Sequence, residues 1–201
     1  MTSENPESVA LEALRAIAHP VRIQIYELLT LDGPSNVSQV ANKINLAVGS
    51  ASYHLAQLQQ AGFIEEATGI SVDRRTRWWR AIPGGLNWSP ADYLGSASGR
   101  EVSTSAQRLL TERRVRRLVE WNSSWHQWGK RWIEAAVESD AILQLTVEEL
   151  SGMTAELSAV VRKWAALAGD ASSDAETSGT SASERELVFL LLSAFPVARG
   201  R

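Results

Sequence analysis

The stretch 19–82 constrains this chain more than any other part of it. It reads HPVRIQIYELL, then NVSQVANKINLAVGSASYHLAQLQQAGFIEE, then a turn and DRRTRWWRAI. Val21, Ile25, Leu28 and Leu29 recur at helical spacing. Pro20 suits the first turn of that helix, where a missing N–H costs nothing, and Asp32-Gly33-Pro34-Ser35 stops it. A helix over 8–18 precedes it, opened by Ser8 and carrying Val9, Leu11, Ala13, Leu14 and Ile17. A short helix over 38–44, a turn at 45–47 and a longer helix over 48–61 come next, the last ended by Gly62. Phe63 to Glu66 and Thr76 to Arg80 then read as two strands joined by a turn with Gly69 and Asp73.

That order of parts lays one helix in a DNA major groove and a hairpin wing along the flanking backbone. On the helix over 48–61, Ala51, Leu55 and Leu58 fall on one side and should pack inward. Gly49, Tyr53, Gln57 and Gln60 then point away from the core, with Ser50, Ser52 and His54 on the flanks. Small hydroxyls, an amide and a tyrosine near a helix N-terminus suit phosphate and base-edge contacts. Taken alone, the same residues fit a solvated helix face equally well. The hairpin shifts the balance: Arg74, Arg75 and Arg77 cluster at or near its tip, where arginine grips phosphates or enters the minor groove.

From 11 to 82 the chain resembles the winged-helix domain of the ArsR-type bacterial repressors. The residues that carry the resemblance are HPVRIQIYELL, SASYHLAQLQQAGFI and the basic hairpin. It implies a transcriptional repressor on double-stranded DNA, with Ser50, Ser52, Tyr53, His54 and Gln57 on the recognition helix and Arg74, Arg75 and Arg77 forming the wing. The metal-sensing members of that family use cysteine clusters or His/Asp/Glu sets. This chain has no cysteine and only His19, His54 and His126. His19 reads as a cap for the helix at Pro20, and His54 sits on the DNA helix. No metal site or cofactor is therefore expected.

A net charge of −3 has the wrong sign for a DNA binder until its distribution is read. Residues 100–132 carry 8 bases against 3 acids, and 133–186 carry 11 acids against 3 bases. Segregated charge of this kind still presents a positive face to phosphate. The absent cysteines exclude disulfides and thiolate chemistry. The polar start MTSENPES is not a signal peptide, and no apolar run nears the ~20 residues that span a bilayer. A cytoplasmic protein without membrane contact is expected. An enzyme is disfavoured, because no nucleophile–base pair, metal set or phosphate-cradling loop is present, and no catalytic residue is named. The remaining alternative, a winged helix used only for protein–protein contact, has no need of clustered arginines.

The second half is expected to be a dimerisation domain over 101–196, reached through a Gly/Ser/Pro-rich linker at 83–100. A helix from about 102 to 137 carries Trp121, Trp125, Trp128 and Trp132, spaced 4, 3 and 4 along one line. Such a stripe is a dimer seam or core in one reading and the wall of a pocket for a flat apolar or cationic effector in another. Ala141 to Leu145 suits a strand. Thr146-Val147-Glu148-Glu149 opens a helix through about 166, and 168–184 reads as a mobile loop. The apolar run Leu187 to Phe195 suits a buried strand that pairs with 141–145, with a helix as its competitor. This layout resembles the C-terminal region of a group of actinobacterial-looking winged-helix regulators, which implies an accessory domain and no named ligand. The fold class is thus mainly α with a small β component (α+β). A winged helix-turn-helix at 8–82 is followed by a helical domain with a long helix and a small two-stranded sheet, and the whole works as a homodimer.

Overall fold

The first two helices meet at a junction built from HPVR. Helices α1 (Pro6–Ile17) and α2 (Pro20–Leu31) are separated by Ala18 and His19 alone. His19 Nδ1 accepts the Val21 N–H at 3.2 Å and so caps α2, with Pro20 in the first turn as expected. Arg22 reaches back and donates to the Ala16 and Arg15 carbonyls, which satisfies acceptors that the end of α1 leaves open. These facts come from a computed structural model that describes residues 6–69, 76–82, 89–178 and 185–198.

Helix α3 (Val37–Lys43) begins with a capping box, in which Asn36 accepts the Gln39 N–H and the Gln39 side chain accepts the Asn36 N–H. The turn to α4 (Val48–Gln60) passes through Asn45 at φ 55°, a left-handed conformation that asparagine tolerates better than most residues. After α4 the chain reverses at Gly62 (φ 75°) into β2 (Ile64–Glu66). Strand β3 (Trp78–Ala81) runs antiparallel to it, with Glu65 opposite Arg80 and Glu66 opposite Trp79. The hairpin forms as expected, but the sheet has a third strand. Ser35 and Asn36 form β1 and pair with Trp79 and Trp78, giving the order β1-β3-β2. A two-residue strand has no alternation to read, so nothing in its residues announces it.

Ile17, Ile25, Val40, Leu55, Leu58 and Ile64 are the large side chains most deeply buried, and they draw α1, α2, α3, α4 and the sheet onto one core. This unit does not stop at the end of β3. Ser89 caps a short 3-10 turn at Pro90–Tyr93, Tyr93 enters the core, and α5 (Ala97–Ser124) buries Ser103, Ala106 and Leu110 against it. Gly99 sits where a Cβ would come 2.9 Å from the Tyr93 carbonyl, so helix and turn approach too closely for any side chain there. Arg113 donates to Glu27 at 2.9 Å, an ion pair well shielded from solvent. One unit thus runs from Met1 to Val115, and a second from Arg116 to Arg201. Residues 97–100, expected in the linker, are helical, while 83–88 lie outside the described residues.

The second unit departs from expectation in three places. The helix expected to run to 137 ends at Ser124, followed by a 3-10 turn at Trp125–Gln127, a break at Gly129 and a short α6 (Lys130–Ala135). Helix α7 (Val147–Ser178) opens with the expected capping box, Thr146 and Glu149 exchanging hydrogen bonds, but runs well past 166. It absorbs 168–178, where Ala168, Ala171 and Ala175 favour extension of a helix already begun. The remainder of the expected loop, 179–184, lies outside the described residues. Neither 141–145 nor 187–195 is a strand or a helix, and among the described residues all three strands belong to the first unit. An apolar run becomes a strand only where a second edge takes up its backbone groups. The mainly helical α+β class holds, with its sheet in the winged unit.

Candidate nucleic-acid interface

Helix α4 turns Ala51, His54, Leu55 and Leu58 inward. Outward lie Val48 at the helix start and then Gly49, Ser52, Tyr53, Ala56, Gln59 and Gln60, the last six spaced 3, 1, 3, 3 and 1 around one exposed face. Tyr53 stands out from it, 59% exposed. Ser50 and Gln57 flank this face half-buried.

His54 is placed differently from the sequence reading. It is 9% exposed and its ring lies 4.9 Å from that of His19, tilted by 43°. Tyr53 meets it edge-on at 5.4 Å. The two histidines join α4 to the α1–α2 junction from within. Burial holds both imidazoles below the ordinary histidine pKa, and the nearby Arg22 guanidinium adds to this; His54 does the same to His19. Both rings are therefore neutral at physiological pH. The inward position of His54 was readable, because it lies three residues after Ala51 and four before Leu58.

Beside the exposed face runs an open groove of about 560 Å³. Its floor is Leu55 and Trp79, one wall is Ser52, Ala56 and Gln59 of α4, and the other walls are Asn36 and Ser38 from the start of α3 and Thr76 and Arg77 from the wing. The sequence reading missed Asn36, Ser38, Ala56, Gln59 and Thr76. Ala56 and Gln59 could have been found by stepping along the face from Gly49 and Ser52. Asn36 and Ser38 arrive only through the β1–β3 pairing, which carried no signal.

Of the wing arginines, Arg77 is described and stands exposed at the groove, with Glu66 3.9 Å away, a loose pair in water. Arg80 is committed to Glu65 at 2.7 Å across the hairpin. Arg74 and Arg75 lie outside the described residues. The arrangement offers a helix with a small, polar outer face and a cation beside it. Hydroxyl and amide groups there can donate to phosphate or to base edges, and Arg77 supplies charge.

The four tryptophans do not share one helix line. Trp121 is on α5, Trp125 in the 3-10 turn, Trp128 in the bend before Gly129, and Trp132 on α6. Trp128 and Trp132 touch edge-to-face at 6.4 Å, and Trp125 meets His126 at 6.0 Å. Among the described residues no group of three or more His, Asp or Glu side chains could hold a metal ion, and no helix is long and apolar enough to cross a membrane.

Residues 17–67 match a helix-turn-helix domain family. No curated relative matches the chain. Among solved structures it is similar to reduced HlyU from Vibrio cholerae, at 22% identity and a TM-score of 0.32 over 51% of this chain and 88% of that one. It is also similar to an apo mutant of ZitR from Lactococcus lactis, at 14% identity and a TM-score of 0.30 over 72% and 81% of the two chains. The helix-turn-helix match spans α2, β1, α3, α4 and β2, and so takes in the whole of α4, the helix that carries the exposed face.

Proposed function

We propose that this protein is a DNA-binding transcription regulator of the ArsR type, a cytoplasmic repressor that holds a pseudo-palindromic operator as a homodimer. The observation that carries the reading is the exposed α4 face of Gly49, Ser52, Tyr53, Ala56 and Gln59 beside the exposed Arg77, within a helix-turn-helix domain. In a major groove, α4 brings Ser50, Ser52, Tyr53 and Gln57 toward base edges and phosphates, while Arg74, Arg75 and Arg77 follow the backbone. His54 contributes from behind, by fixing Tyr53 and the helix to His19. One recognition helix per chain reads a single half-site, so specific binding takes two copies about one helical turn, roughly 34 Å, apart.

The test is binding of the full chain to DNA from its own upstream region, followed by fluorescence anisotropy across a salt series. A steep linear fall of log K with log salt, about 0.9 per phosphate neutralised, is expected, with operator bound far more tightly than scrambled DNA. Salt-insensitive binding, or none, would leave a protein–protein module as the better account.

A second reading concerns release. Trp125 and Trp128 are large, flat and exposed, which suits stacking by a planar apolar or cationic effector. Such a compound would quench their fluorescence and loosen DNA, and by linkage DNA would weaken the compound by the same factor. A broad screen with neither effect removes the effector.

A further inference from the structure

Helix α7 carries a pattern that the regulator reading does not use. Leu150, Met153, Leu157, Val160, Trp164 and Leu167 are spaced 3, 4, 3, 4 and 3 along it. This is the seam of a coiled coil, apolar residues at alternate three- and four-residue steps that stay aligned only when a second helix covers them. In the single chain most of the seam is open: Leu157 is 39% exposed, Val160 54%, Trp164 65% and Leu167 48%, while Leu150 and Met153 are half-buried. The residues flanking the seam decide what covers it. Glu156 and Lys163 lie on the same edge, one turn of the repeat apart, and among the described residues neither has an ion-pair partner.

We propose that α7 forms an antiparallel two-helix coiled coil with α7 of a second copy of this chain. Turning one copy against the other about a point between Ser158 and Ala159 sets Leu157 against Val160, Leu150 against Leu167, and Met153 against Trp164. Each layer then joins a position of one type to a position of the other. The largest side chain meets the unbranched, adaptable methionine. The same alignment places Glu156 of each copy beside Lys163 of the other, giving two ion pairs by symmetry. Parallel pairing does neither, because it stacks Trp164 on its own copy and sets Glu156 against Val161. Glu149, on the same edge, is already engaged in the cap of α7. The inference rests on the homodimer in the reading above and names the surface that makes it.

Charge reversal in the full chain tests this, with the dimer constant read by sedimentation at low salt. Glu156→Lys alone and Lys163→Glu alone should each weaken the dimer by roughly tenfold, by replacing two weak attractions with two repulsions. The double reversal, Glu156→Lys with Lys163→Glu, should return to within about threefold of the parent. A monomeric parent, single reversals without effect, or a double variant weaker than either single overturns the pairing. Because the chain has no cysteine, a second measurement stands beside it. A mixture of Leu157→Cys and Val160→Cys chains should form disulfide-linked dimers well ahead of either variant alone, and equal yields from all three samples count against the alignment. Anisotropy with operator DNA separates the two claims. Specific binding by variants whose dimer constant ignores the reversals sinks the α7 pairing and leaves the regulator. Rescue of the dimer with no specific binding by any variant supports the pairing and sinks the regulator.

Discussion

The two units of this chain solve the burial problem to different degrees. Every buried side chain described belongs to the first unit, at or before Leu110. Among the described residues, 20 of the 25 exposed large apolar side chains lie in the second, between Leu118 and Val197. Full burial of such a side chain is worth about 1.5–3 kcal/mol over leaving it in water. The first unit collects that gain within one chain, while the second leaves it uncollected. Folding of the first unit is therefore a property of the monomer. In the homodimer proposed above, the second gains cover only on association, which makes concentration the variable that tells the two apart.

The largest expected effect that tests this contrast is a truncation in the core of the first unit. Leu58→Ala removes a fully buried side chain between α4 and its neighbours and should cost about 2–5 kcal/mol. Urea unfolding of the first unit should register that loss at any protein concentration. Val160→Ala in the second unit should show its cost only where the chain self-associates. A concentration-independent loss at Val160 would break the comparison.

Glu27 and Arg113 tie α2 to α5 inside the first unit. Glu27→Gln removes the carboxylate that faces the shielded Arg113 guanidinium at 2.9 Å, and a loss of about 1–3 kcal/mol is expected by the same unfolding measurement. A change within error would mean that this ion pair adds nothing to the hold of α2 on α5.

The exposed face should behave in the opposite way, with function moving and stability fixed. Tyr53→Ala is expected to narrow the gap between operator and scrambled DNA by about 1–3 kcal/mol while the unfolding midpoint stays put. Arg77→Ala should weaken binding to all sequences alike and shallow the salt slope by about one unit. A Tyr53 variant with undiminished preference would take α4 out of the groove.

The smallest effect expected is on pH. His19 and His54 have pKa values lowered from the ordinary 6.5, by burial first and Arg22 second. The unfolded chain therefore binds protons at a higher pH than the folded one. Stability should be level above about pH 6.5 and fall as pH drops below it. His54→Phe should flatten that fall, in a titration of urea midpoints from pH 8 to 5. A parent curve already flat there would mean that the pair is solvated.

Much of the first unit could be read in the sequence because its signals are local. The His19 cap, Pro20 at a helix start, the inward Ala51, Leu55 and Leu58, and the hairpin after Gly62 each depend on residues a few positions apart. His54 was misplaced because a polar ring next to Tyr53 reads as a surface group even where its spacing to Ala51 and Leu58 puts it on the inward side, and its contact with His19 comes from a distant part of the chain. In the second unit the signals run against each other. Tryptophan spacing carries a helical period straight past Ser124, where α5 stops, and through the break at Gly129, and the Ser- and Asp-rich composition of 168–178 hides its alanines. The runs at 141–145 and 187–195 depend on what lies beside them, which no local pattern records.

The closeness of α5 to the turn before it has a genetic consequence. Position 99 admits no side chain, since the first atom of one would meet the Tyr93 carbonyl at 2.9 Å. Even the mildest replacement, alanine, must push the turn away and loosen Tyr93 from the core. Changes at exposed α5 positions such as Arg108 disturb little. A collection of random alleles would therefore leave position 99 almost unvaried amid a permissive stretch. The few survivors there would be conditional, working in the cold and failing with warmth, with a lesion far from the α4 face whose loss they mimic.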